Sequence, residues 1–197
     1  MLWRSAGYAA ILFAAVALAA AQEAKPKVSE KPLTAEQIAI YRPILSQWMR
    51  EGWNSVNLAV QTVPLDATGP SGDSECAKGL DLEPALAEVH RFRAADLAKL
   101  GSGNIALVDP DRQRDEVREN DPERTVGKGK SIEEAVNNGF AHGLFTLSEI
   151  RFDKEHKLAI VSYGFFCGSL CGNGGTMVLE KTGAGWSRKK SCHDWIS

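Results

Sequence analysis

The chain has 197 residues, 44% of them hydrophobic and 24% charged, with 23 basic against 25 acidic side chains and a net charge of −2. No basic block stands out, so composition gives no electrostatic footprint for nucleic acid or an anionic membrane. The length suits one domain with a substantial core and is short for two.

Residues 1–21 have the layout of a secretory leader. Arg4 is the sole charge, Ala6 to Ala21 is an apolar run, and Ala19-Ala20-Ala21 supplies small residues before Gln22. The run falls short of the roughly 20 apolar residues that cross a bilayer. Cleavage, export to the periplasm or beyond, and no membrane span after cleavage are therefore expected. About 176 residues would remain, with a net charge of −3. Residues 22–33 read as a polar tether and 34–197 as a single α+β domain.

Thr34 and Gln37 form a capping box that opens a helix. Ile38, Tyr41, Ile44, Leu45 and Trp48 recur at steps of three and four, giving it one apolar face. Pro43 kinks that helix or starts a second one. Val56, Leu58, Val60 and Thr62 alternate with Asn57, Ala59, Gln61 and Val63 as in a strand. A Gly/Pro/Ser/Asp-rich loop follows, from Pro64 to Gly79, and contains Cys76.

Leu86, Val89, Phe92, Leu97 and Leu100 predict one or two helices over Pro84 to Leu100, ended by Gly101. Asn104–Val108 reads as a short strand. Asp109–Lys130 mixes seven acids with six bases and almost no apolar residues, the pattern of a solvated loop. Ser131 and Glu134 open a short helix expected to stop near Gly139.

Ile150 and Phe152 alternate with Glu149, Arg151 and Asp153, predicting a strand with one wet face. Lys157–Cys167 is apolar on both faces, as in a central strand. Thr176–Glu180 returns, Thr182–Gly185 turns, and Trp186–Lys190 closes the meander. Arg188, Lys189 and Lys190 would suit a protected edge. The expected architecture is an antiparallel sheet of four to five strands with the N-terminal helices packed on one face.

An even cysteine count in an oxidising compartment favours disulfides. Placing the loop centre near Cys171 sets Cys167 opposite Gly175, and a turn near Gly183 sets Cys192 level with Gly175 on its far side. Cys167 and Cys192 would then lie two strand spacings apart, about 9–10 Å, beyond the roughly 7 Å a disulfide tolerates. The favoured pairs are Cys167–Cys171 and Cys76–Cys192. Zinc held by Cys167, Cys171, Cys192 and His193 is the weaker reading, because a Cys-His dipeptide is not a usual ligand step. A catalytic thiol at Cys171 lacks a base within its hairpin.

Other motifs fail on context. Gly101-Ser-Gly103-Asn-Ile-Ala106 follows a helix, whereas the dinucleotide fingerprint follows a strand. Gly129-Lys130-Ser131 lacks the first glycine of a phosphate loop, with Arg124 in its place. Asp109-Pro-Asp111 begins like a calcium loop, but Arg114 replaces its glycine and Asn120 its bidentate Glu. His90 falls on a predicted helix, and His156 in a charged turn. Among the tryptophans, Trp53 and Trp195 are the candidates for exposed binding aromatics, since Trp48 and Trp186 fall at core-facing positions. No catalytic residue, metal ligand or cofactor site is predicted.

Tyr41-Arg-Pro-Ile-Leu45, the strand Val56–Thr62, Leu147-Ser-Glu-Ile-Arg-Phe-Asp, Gly164-Phe-Phe-Cys-Gly-Ser-Leu-Cys-Gly-Asn-Gly-Gly175 and the ending Trp195-Ile-Ser197 together give a pattern. It resembles a loose group of exported bacterial proteins of unknown function that carry a C-terminal Cys/Gly-rich β-hairpin. The resemblance implies an exported single domain and transfers no catalytic residue. The functional expectation is a non-catalytic domain that binds a protein, peptide or envelope component. The alternative is a hydrolase whose groups meet only in three dimensions, with His142, His193 and acidic partners.

Overall fold

The computed structural model describes residues 26–50, 55–65, 76–101 and 103–197. The expected leader over residues 1–21 and Trp53 lie outside the described residues.

The elements follow in chain order: β1 (Lys27–Val28), α1 (Ala35–Arg50), β2 (Ser55–Ala59), β3 (Glu88–Val89), α2 (Ala94–Leu100), β4 (Asn104–Val108), α3 (Pro110–Glu119), α4 (Pro122–Gly127) and α5 (Ile132–His142). The C-terminal strands are β5 (Leu144–Leu147), β6 (Arg151–Phe152), β7 (Leu158–Gly168), β8 (Cys171–Thr182) and β9 (Gly185–Ile196). The class is α+β, with a mostly antiparallel sheet ending in the β7-β8-β9 meander.

The main sheet is larger than sequence pattern suggested. Its seven strands run β4-β2-β5-β7-β8-β9, with β6 also paired to β7. β2 lies parallel to both β4 and β5, while β5, β7, β8 and β9 pair antiparallel. Parallel neighbours need long crossovers. Here helices α2 to α5 occupy those connections, which no local hairpin signal announces.

The capping box at α1 is formed in both directions. The Gln37 amide donates to Thr34 Oγ1 at 3.1 Å, and the Thr34 amide donates to Gln37 Oε1 at 2.8 Å. Pro43 sits inside the single helix. Ile40, Tyr41, Leu45 and Trp48 bury the inner face of α1 in one core with Leu58, Phe145, Leu147, Val161 and Leu179. Trp48 meets the Phe145 and Phe165 rings at 5.1 and 4.7 Å. Each such buried side chain contributes about 1.5–3 kcal/mol. A second, smaller cluster of Cys76, Ile160 and Val178 gathers Leu65, Leu82 and Cys192.

Three local expectations are corrected. Pro84–Leu100 is helical only from Ala94, because Glu88 and Val89 pair parallel with Lys27 and Val28. Asp109–Lys130 is not a loop but holds α3 and α4. Each helix is opened by an Asp-Pro step: Asp109 accepts the Asp111 and Arg112 amides, and Asp121 accepts the Glu123 amide. The third helix, α5, continues through Gly139 to His142. A Cβ at Gly139 would stand 2.7 Å from Pro122 and 3.2 Å from the Cys167 carbonyl, so glycine there is a packing requirement.

The register of the β7-β8 hairpin also differs. Gly168 pairs with Cys171 and Tyr163 with Gly175, so the turn is Ser169-Leu170 and Cys167 is not opposite Gly175. The expected pairs nevertheless form. Cys76–Cys192 has Cα atoms 5.4 Å apart and Cys167–Cys171 5.0 Å apart.

Candidate functional site

Trp195 lies near the free end of the sheet. Antiparallel partners project to the same side, so the pairs Gly164–Gly174, Phe166–Gly172 and Gly174–Trp195 share one face. The missing side chains of β8 leave a trough into which the indole lies. A Cβ at Gly174 would come within 2.6 Å of the indole nitrogen, and one at Gly172 within 3.4 Å of the ring. The Phe166 and Trp195 centroids are 5.2 Å apart. Phe166 remains 41% exposed, Leu170 75% and Ile196 88%, which makes this corner an apolar surface.

The backbone at that corner is also distinctive. Gly172 and Ser197 exchange both hydrogen bonds, at 3.3 and 2.9 Å. Alternate residues in an antiparallel ladder turn their N–H and C=O groups the other way. Asp194 and Ile196 therefore direct theirs away from β8, and β9 is the terminal strand on that side. Before Asp194, β9 carries two register shifts, one at Lys189 between the pairs Leu179–Arg188 and Val178–Lys190, and one at Cys192 between the pairs Met177–Ser191 and Thr176–His193. It also carries exposed Arg188, Lys189 and Lys190. Bulges and cations of this kind blunt an edge. From Asp194 to Ile196 the register is regular.

A buried polar cluster lies on the core side near α1. Glu149 is 4% exposed, not on a wet strand face as expected. Its Oε1 accepts the His90 amide at 2.7 Å and the Thr62 hydroxyl. Its Oε2 stands 3.0 Å from His90 Nδ1. Tyr41, fully buried, donates its hydroxyl to the Ser148 carbonyl at 2.9 Å. Burial, aided by the Glu149 charge, holds that phenol well above its ordinary pKa. His90 is thus not helical. It is the histidine that the fold pairs with a buried carboxylate, and sequence spacing of 59 residues gave no sign of it.

The two histidines singled out from sequence sit apart. His142 ends α5, with Nδ1 2.9 Å from the Asn138 carbonyl. His193 stands opposite Thr176 on β9, three strand spacings from β5, about 14 Å. The Thr62 hydroxyl bonds the Glu149 carboxylate, whereas a catalytic triad places its nucleophile on the imidazole nitrogen remote from the acid. This arrangement orients the His90 ring and satisfies a buried charge.

The fourth cysteine position, Cys192, is tied to Cys76, so the Cys-His pair offers no thiolate. Among the described residues no group of three or more His, Cys, Asp or Glu side chains has the geometry to hold a metal, and no helix is long and apolar enough to cross a membrane. No family profile, curated protein or solved structure matches the chain.

Proposed function

We propose that the protein is an exported, non-catalytic binding module that takes up an extended polypeptide segment along the last residues of β9. The carrying observation is the conjunction at Asp194–Ile196 of outward backbone groups with the apolar corner of Trp195, Phe166 and Ile196. Strand addition draws affinity from main-chain hydrogen bonds and specificity from alternate side chains. Trp195 on one face and Ile196 on the other would flank an added strand. Export is supported by the two disulfides, which persist in oxidising compartments, and by the leader-like composition of residues 1–21.

The test is selection of displayed random peptides on the mature protein, followed by affinity measurement against Trp195→Ala and Ile196→Pro. The proline removes one outward N–H. Selected peptides should alternate apolar and polar residues and lose about tenfold or more with either variant, since tenfold is about 1.4 kcal/mol. Peptides that bind both variants as well as the parent would refute the reading.

A further inference from the structure

A cleft of about 460 Å³ opens beside the chain that continues β2, within the range of roughly 300–1,000 Å³ typical of small-ligand sites. The continuous run from Ala59 to Pro64 forms one wall; Gln61 and Val63 are half-buried there, whereas Ala59 and Thr62 are buried. The N-terminal Val28 and the first turn of α3 also line it.

Its charges are unevenly committed. Arg114 Nη1 is paired with Asp111 Oδ1 at 2.7 Å. Asp109 Oδ1 accepts the Asp111 and Arg112 amides, each at 3.0 Å, while its second oxygen has no partner among the described residues. Gln61 and Arg91 are partners in an antiparallel bridge, so their side chains share a side. Neither side chain has a hydrogen bond or ion pair among the described residues. The cleft therefore presents one uncommitted guanidinium with an adjacent amide, and one carboxylate oxygen, over apolar walls.

We propose that this cleft binds a small zwitterion, a free α-amino acid or a dipeptide, with its carboxylate on Arg91 and Gln61 and its ammonium facing Asp109. A guanidinium engages a carboxylate through two parallel N–H bonds, and the Gln61 amide adds a further donor. Arg114 and Asp111 already pair with each other, so a simple anion would leave the Asp109 oxygen unanswered and a simple cation would leave Arg91 so. A molecule bearing both charges answers both. Val28, Val63 and the neighbouring prolines supply apolar contact for its side chain.

Saturation-transfer NMR on the mature chain, with a pool of the common free amino acids and a pool of dipeptides, tests this directly. Hits are then titrated against Arg91→Gln, Asp109→Asn, and the N-acetylated and C-amidated forms of each hit. Arg91 is exposed and has no ion pair among the described residues, and asparagine remains a good helix cap, so both variants should keep the parent melting temperature. Saturation of at least one pool member is expected, with affinity falling at least tenfold for each variant and each blocked ligand. No saturation at millimolar concentration, or binding indifferent to Arg91→Gln, overturns the proposal. Undiminished binding of N-acetylated ligands overturns it too, since it would mark a simple carboxylate site.

Discussion

Glu149 and His90 are bound to each other twice. One carboxylate takes both the His90 main-chain amide, at 2.7 Å, and its ring Nδ1, at 3.0 Å. The Thr62 hydroxyl completes the set. The strand extension carrying Thr62, the β3 segment and the β5–β6 connection are thereby clamped at one buried point. Removing the carboxylate leaves the His90 ring Nδ1 without its partner, while the His90 amide keeps Thr62 Oγ1 at 2.8 Å and the Thr62 hydroxyl keeps the His90 carbonyl at 3.1 Å.

Glu149→Ala should accordingly cost about 1–3 kcal/mol, the penalty of a buried polar group left without its hydrogen-bond partner. Thr62→Val, which keeps shape and loses one hydroxyl, should cost about 1–2 kcal/mol. Urea unfolding curves check both. A Glu149→Ala variant within 0.5 kcal/mol of the parent, the usual range of a surface change, would mean the clamp is not formed.

The two disulfides should differ sharply in worth. Cys76–Cys192 spans 116 residues and Cys167–Cys171 only 4. In the chain-entropy treatment the first contributes about 5 kcal/mol and the second about 2 kcal/mol. Paired Cys→Ala variants followed by chemical unfolding should show that order, and non-reducing peptide mapping should recover these two links.

Two titrations predict opposite pH responses. The Glu83 carboxylate, 3.0 Å from Nε2, together with Glu36 raises the pKa of His156 above 6.5 despite partial burial. Its contribution is full below 6.5 and is lost as pH rises through the raised folded value. For Asp121, burial alone would raise the carboxyl, but the Ser169 amide and hydroxyl and the Glu123 and Arg124 amides more than offset it and hold it below 3.8. That contribution is full above 3.8 and is lost as pH falls through the depressed value. Melting temperatures of His156→Asn and Asp121→Asn across pH 3–9 check the signs. Asparagine suits position 156 because His156 has a left-handed φ of 53°. His156→Asn should lose most below neutrality, and Asp121→Asn most above pH 4.

Gly174→Ala should unseat the aromatic corner. The new Cβ would meet both the Trp195 indole and the Tyr163 carbonyl at 2.6 Å, an overpacking that costs about 1–3 kcal/mol. A red shift in tryptophan emission, absent from Trp195→Phe carrying the same change, reports the displaced ring.

Much of the fold was legible because its cues are local. Thr34 and Gln37 announce α1 by a reciprocal cap, and the meander announces itself by alternation. The cysteine pairing followed from strand spacing even with the turn misplaced, because Cys167 and Cys192 remain on strands separated by β8. What escaped is non-local or was masked by charge. The Asp-Pro steps at Asp109 and Asp121 were readable helix starts, outweighed by the charge density around them. The parallel placement of β2 and the burial of Glu149 depend on partners tens of residues away, which periodicity does not report. Trp195 was read as an exposed aromatic, but its seat over Gly172 and Gly174 required the β8-β9 register.

The most direct measurement of the binding account is amide hydrogen exchange along β9, resolved by residue, with and without a selected peptide. Strand addition predicts that Asp194 and Ile196, whose amides point outward, slow by at least tenfold, while Trp195, already bonded to β8, changes little. Unchanged exchange at Asp194 and Ile196 under saturating peptide would contradict it.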